Sequence, residues 1–240
     1  MQRSHKSGAS GRRTDDGQPH AHLDLPVGGR RESKRQETRP RIKAAAFELF
    51  TEKGYENTTV REIAARAGVG FGTLFSHAAE KRELLFLLFE DIARDTFDRG
   101  FRTAARTDSF VDQLTAIFAP PYRVHEPNPK LGRALITELT FTSNTTFRLR
   151  FPAYDRIALI GRVAEVVDRA KASGRITTSA DSEFVARVVF SIFAGAFRAW
   201  LAGPRPVASA GIADLRSEME LLVTGLGPTK ASQSGAEKIR

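Results

Sequence analysis

A chain of 240 residues with net charge +9 and no cysteine excludes a disulfide scaffold and a thiolate metal site. The positive charge favours a polyanionic partner, of which nucleic acid is the commonest. The N-terminus carries no signal-peptide core, and the most apolar stretch, Val188 to Phe197 between Arg187 and Arg198, reads as too short to span a bilayer; together with the missing cysteines this predicts a soluble cytoplasmic protein with no membrane partner.

Residues 1–35 are rich in Gly, Ser, His, Asp and Arg and poor in large aliphatics. Such a segment buries too little surface to offset its ordering entropy and is predicted to be a disordered basic tail. Arg30, Arg31, Lys34, Arg35, Arg39 and Arg41 form a basic approach to the first helix. That helix is predicted from Arg39 or Arg41 to Lys53, with Ile42, Ala45, Ala46, Leu49 and Phe50 at helical spacing and Gly54 closing it. Thr59-Val60-Arg61-Glu62 has the form of a capping box opening a second helix, which turns at Gly68 into a short third helix from Gly70 to His77. A long fourth helix runs from about Lys81 to Gly100. Its two apolar stripes, Leu84, Leu85, Leu88, Ile92 and Phe86, Phe89, Ala93, Phe97, predict a sandwiched helix linking two domains.

Beyond Gly100 only helical periodicity is present. Phe110, Leu114 and Phe118 mark a helix stopped by Pro120-Pro121. Leu131, Leu135 and Leu139 mark the next, and Ile157 to Val167 another ending near Gly174. Phe184 to Leu201 is apolar nearly all round, and Leu215, Met219, Leu222 and Leu226 carry the last. The fold class is all-α: an N-terminal three-helix helix-turn-helix domain (36–98), a C-terminal helical bundle for ligand binding and dimerisation (99–227), and a disordered tail (228–240).

The stretch from Ile42 to Leu85 contains Ala45-Ala46, Leu49-Phe50, Gly54-Tyr55, Thr58-Thr59-Val60, Ile63-Ala64, Ala67-Gly68-Val69, Gly72-Thr73-Leu74 and Lys81 at fixed spacing, and it resembles the N-terminal domain of the TetR family. The resemblance implies a sequence-specific, DNA-binding transcriptional regulator, by family default a repressor released by a small molecule. It implies that Arg39, Arg41, Thr59, Gly70, Phe71, Gly72, Thr73, Phe75, His77 and Lys81 meet double-stranded DNA. The third helix enters the major groove, Phe71 is placed for an apolar contact with thymine, and Lys81 grips a phosphate. The chain departs from the family pattern at Gly70, Phe75, Ala78 and Glu80. An alternative reading is therefore a ligand-binding helical protein whose reading head has lost specific DNA recognition.

The resemblance also implies a homodimer on a palindromic operator, with an interface that includes Ala194, Leu215, Met219, Leu222 and Leu226. Aromatic residues concentrate in the second half, and Phe118, Tyr122, Leu135, Leu139, Phe151, Tyr154, Phe193, Phe197 and Trp200 are the candidates for a cavity holding an apolar or aromatic effector. No catalytic residue, metal or cofactor is expected: His5, His20 and His22 lie in the tail, leaving His77 and His125, and no nucleophile elbow, phosphate loop or metal-ligand spacing occurs.

Overall fold

The computed structural model describes residues 27–140 and 145–225, and among them every regular element is helical. The order is α1 (Val27–Glu52), α2 (Val60–Arg66), α3 (Phe71–His77), α4 (Lys81–Ala104), α5 (Phe110–His125), α6 (Pro129–Thr140) and α7 (Thr145–Arg150). A 3-10 turn (Pro152–Tyr154), α8 (Arg156–Ala172), α9 (Ser182–Ala202) and α10 (Ala208–Thr224) complete it. The helix-turn-helix unit of α1–α3 sits at one end of α4, and a helical bundle surrounds the other.

Two cores divide the buried apolar surface. The first joins Ile42, Leu49 and Phe50 of α1, Ile63 of α2 and Leu74 of α3 to Leu84–Phe89 of α4, and also takes in Leu131 and Leu135 of α6 with Phe147 and Phe151. The second joins Leu114, Ile117, Phe118 and Tyr122 of α5 to Val163 and Val167 of α8, Val189, Phe193 and Phe197 of α9, and Leu215 and Met219 of α10. Gly54 at φ +84° and Gly68 at φ +61° make the turns after α1 and α2, where a side chain would be strained.

Three expectations are corrected here. Helix α1 begins at Val27, well before Arg39, and carries Pro40 inside it. Polarity alone suggested a tail, yet Arg, Lys, Glu and Gln are good helix formers. Of the predicted tails, 1–26 and 228–240 lie outside the described residues, whereas 27–35 are helical. Second, Val188–Phe197 belongs to α9, whose 21 residues are long and apolar enough, by length and composition, to cross a membrane. Its Ala186, Val189, Phe193, Phe197 and Leu201 instead pack into the second core, so it is a bundle helix.

Third, α5 does not stop at Pro120-Pro121 but runs through both to His125. Pro121 has no amide to donate to the carbonyl of Ile117. That carbonyl faces α4 at Gly100, where a Cβ would lie only 2.4 Å from the Ile117 oxygen. Glycine at 100 thus lets α4 and α5 pack backbone against backbone at the point where the prolines open the hydrogen-bond ladder. Changing Gly100 to Ala should destabilise the protein by roughly 1–3 kcal/mol, the usual cost of overpacking; urea unfolding will read this as a lowered midpoint.

His125 ends α5 in an apolar setting, with its ring 5.2 Å from Phe89 and 5.7 Å from Phe197. Burial pushes its pKa down to about 4, from about 6.5 for a free imidazole. The unfolded chain therefore binds a proton that the folded chain refuses between those values. The stability this neutral imidazole allows is complete above about pH 6.5 and lost as pH falls toward 4. The loss should reach up to about 3 kcal/mol, and a His125→Asn variant should lack that part of the pH dependence in parallel denaturation series.

Candidate nucleic-acid interface and cavity

The helix-turn-helix is built from local hydrogen bonds. Glu62 N donates to Thr59 Oγ1 at 3.3 Å, and Thr59 N donates to Glu62 Oε2 at 2.8 Å. This is the reciprocal capping box expected from the spacing. Lys53 Nζ donates to the same carboxylate at 2.5 Å and Thr59 Oγ1 at 2.9 Å; with the bond from Thr59 N these hold the Glu62 carboxyl down at about 2. Leu74, fully buried, pins α3 to the first core.

Pinned in this way, α3 turns an uncovered face outward. Phe71 and Phe75 are 48% and 51% exposed, with ring centroids 5.9 Å apart. Gly70 and Gly72 are exposed beside them, Thr73 is half-buried and Thr59 is exposed at the start of α2. The Arg61 guanidinium lies 6.0 Å over the Phe71 ring. These residues form one continuous candidate surface.

The other predicted contact residues are engaged by partners within the protein. His77 is buried, with its Nε2 2.9 Å from Thr38 Oγ1. Arg39 pairs with the buried Glu90 at 2.6 Å. Arg41 Nη2 donates to the carbonyls of Ala67 and Gly68 at 2.6 and 2.9 Å. Lys81 Nζ donates to the carbonyls of Tyr55 and Glu56 at 3.0 and 3.1 Å and lies 4.4 Å over the Tyr55 ring. The physical reason is shared by Arg41 and Lys81: carbonyls left over at helix ends and turns need donors, and these long cations supply them. Lys81 at a helix N-terminus opposes the dipole because it ties α4 to the turn before α2.

Arg150 carries a role that periodicity could not reveal, since α7 is too short to show any. Its Nη2 donates to the His77 carbonyl at 2.8 Å and lies 3.1 Å from Glu83 Oε2, the oxygen that accepts the Ala79 amide at 2.6 Å. The same segment packs Phe147 and Phe151 edge-to-face on Phe86 at 4.9 and 5.5 Å, and the Tyr154 hydroxyl donates to the Phe86 carbonyl at 3.1 Å.

On the far side of these rings is a cavity of about 360 Å³ between α4, α5, α6, α8 and α9. Leu135, Leu139, Tyr154, Phe193 and Phe197 line it as expected. Phe118, Tyr122, Phe151 and Trp200 do not. Phe118 stacks behind Phe193 at 4.4 Å, Tyr122 behind Phe197 at 5.0 Å and Phe151 under Phe86, while Trp200 Nε1 donates to the Val207 carbonyl. Periodicity identified this aromatic layer but not which side of it is hollow. Phe89, Ile92, Phe97, His125 and Phe147 complete the apolar wall. Arg156 and Arg198 also line it; both are exposed, and neither forms an ion pair among the described residues.

Within one chain the residues of the expected dimer stripe fall in different places. Leu215 and Met219 are fully buried within the second core. Leu222 packs against that core, Ala194 lines the cavity, and Leu226 lies outside the described residues. The apolar groups left uncovered on α9 and α10 are Phe184, Leu221 and Val223, beside the exposed Gly195, Ala199 and Ala202. Among the described residues no group of three or more His, Asp or Glu side chains could hold a metal ion.

Residues 42–88 match the family model for bacterial regulatory proteins of the tetR family. The chain is 41% identical over 54 residues to the HTH-type transcriptional regulator SAB2452 of Staphylococcus aureus, covering 22% of this chain and only 29% of that protein. It is 28% identical over 171 residues to the HTH-type transcriptional repressor KstR of Mycobacterium tuberculosis, covering 69% of this chain and 72% of that one. Among solved structures, the regulator FadR of Bacillus subtilis with stearoyl-CoA superposes at a TM-score of 0.62 with 21% identity, over 78% of this chain and 98% of that one. FadR of Thermus thermophilus, a TetR-family repressor with lauroyl-CoA, superposes at 0.63 with 23% identity, over 80% and 96%. At such identity the likeness to the two structures is one of fold. Residues 42–88 therefore carry the N-terminal domain of the tetR family of bacterial regulatory proteins, and the chain as a whole shares the fold of these two regulators.

Proposed function

We propose that this protein is a cytoplasmic transcriptional repressor that binds a palindromic operator as a homodimer and leaves it when an acyl-CoA or similar anionic amphiphile fills the cavity. The observation that carries the DNA-binding part is the exposed face of α3, held out from the first core by Leu74 within a domain that matches the family model. Thr59, Gly70, Phe71, Gly72, Thr73 and Phe75 are its proposed contact residues. The reading domain is placed at 36–98 and the ligand and dimer domain at 99–227, with the boundary inside α4.

The effector class rests on the cavity. Aromatic and aliphatic side chains make most of its wall, which suits an acyl chain. The charges of Arg156 and Arg198, unpaired among the described residues, suit an anionic end. The two FadR structures, which hold stearoyl-CoA and lauroyl-CoA, support the same class. Dimerisation rests on α9, most of whose apolar length is left unburied within one chain. With Phe184, Leu221 and Val223 also uncovered, a second copy across a two-fold axis is the natural cover.

In such a dimer the two α3 helices lie roughly 34–36 Å apart, one turn of DNA. Selection of bound sequences from a random duplex pool at near-physiological salt should enrich a palindrome whose half-sites have that separation or a multiple of it. A folded protein that enriches no sequence would refute the regulator reading.

A further inference from the structure

The chemistry displayed on α3 is unusual for a helix that reads base edges. Its sequence, Phe71-Gly72-Thr73-Leu74-Phe75-Ser76-His77, contains no Arg, Lys, Asn, Gln, Asp or Glu. The side chains that make paired hydrogen bonds to guanine, adenine or cytosine in the major groove are therefore absent. Leu74 and His77 are buried, and the Ser76 hydroxyl donates to the Thr73 carbonyl at 2.7 Å. What remains facing outward is two phenyl rings, the Thr73 side chain, Ser76 with its hydroxyl already donated within the helix, and Gly72, with Gly70 just before the helix.

One base feature in the major groove is matched by apolar side chains, and that is the C5-methyl group of thymine. We infer that the operator is recognised chiefly through thymine methyl groups, gripped by Phe71 and Phe75 acting as a pair. This rests on the proposed DNA-reading role of α3. The two rings sit at i and i+4 on one face of the helix, with centroids 5.9 Å apart. Successive bases on one strand are roughly 3.4 Å apart, so the pair spans about two base steps. A Cβ at Gly72 would meet nothing within 4 Å, so the helix surface beside the rings is open for the groove wall to approach. DNA is the occupant favoured by charge: Arg61, over the Phe71 ring, forms no ion pair among the described residues and stands free for a phosphate beside the rings. The net charge of +9 has the same sense.

The pair also explains how a reading helix can hold two exposed phenylalanines. Their hydration is unfavourable in the free protein, and covering them with methyl groups converts that cost into operator affinity. Base-pair discrimination then comes from the presence or absence of a methyl, with Thr73 adding a hydroxyl and a methyl of its own.

The test replaces each thymine of the selected operator, one at a time, by deoxyuridine, which keeps the base pair and the O4 acceptor and removes only the methyl. At one or two positions in each half-site, affinity measured by fluorescence anisotropy should fall about four-fold, the equivalent of about 0.8 kcal/mol per buried methyl. Phe71→Ala and Phe75→Ala should bind the thymine operator more weakly and lose their sensitivity to uracil at one position each. Phe71→Leu should retain it, and circular dichroism will confirm that all three variants are folded. An operator indifferent to uracil at every position, or a uracil effect that persists in the Phe71→Ala/Phe75→Ala double variant, overturns the inference while leaving DNA reading intact. Failure to enrich any operator refutes the DNA-reading role itself, and this inference with it.

Discussion

The structure depends on one unbroken run of buried side chains, Leu84 to Phe89 at the start of α4. A helix with no solvent face over nearly two turns must be enclosed on every side. Each Leu or Phe fully covered contributes roughly 1.5–3 kcal/mol, so the run outweighs any single polar contact nearby. The helix-turn-helix supplies one half of the enclosure through Ile42, Leu49, Ile63 and Leu74. Leu131, Leu135, Phe147 and Phe151 supply the other half. The reading domain and the cavity wall are therefore two sides of one core and not two bodies joined by a linker.

That constraint organises the polar contacts. Glu90 continues the buried run, and a buried carboxylate requires a partner; Arg39 provides it from α1, and Lys43 reaches Asp91 one residue on. Arg150 reaches across from α7 to the last carbonyl of α3. Phe89 faces the cavity while Phe86, three residues earlier, carries the Phe147, Phe151 and Tyr154 rings. A ligand that moves these rings displaces groups bonded directly to the reading helix. Such two-sided packing is a physical basis for coupling between sites.

The reading domain was legible in the sequence because its signals are local. The Thr59–Glu62 box, the positive-φ glycines at 54 and 68 and the periodic aliphatics of α1 each act within a few residues. The commitment of Arg41 and Lys81 to backbone carbonyls was not legible, because the carbonyls they satisfy lie about 25 residues away in sequence. Pro120-Pro121 misled for a related reason: the lost hydrogen bond is accommodated by Gly100 on a different helix. In the bundle, periodicity shows that Leu215 and Met219 are on one face but not whether a partner or the same chain covers it. Likewise Phe118 and Phe193 stack in one aromatic layer, and only the second of them touches the hollow.

The central claim, that the cavity and the reading surface are coupled through their shared core, is tested most directly by titrating the operator complex with stearoyl-CoA while following acyl-CoA binding independently. The account predicts that saturation weakens operator affinity by about 5–150-fold, the usual range of allosteric coupling. Stoichiometric binding of stearoyl-CoA in the cavity with unchanged operator affinity would contradict it.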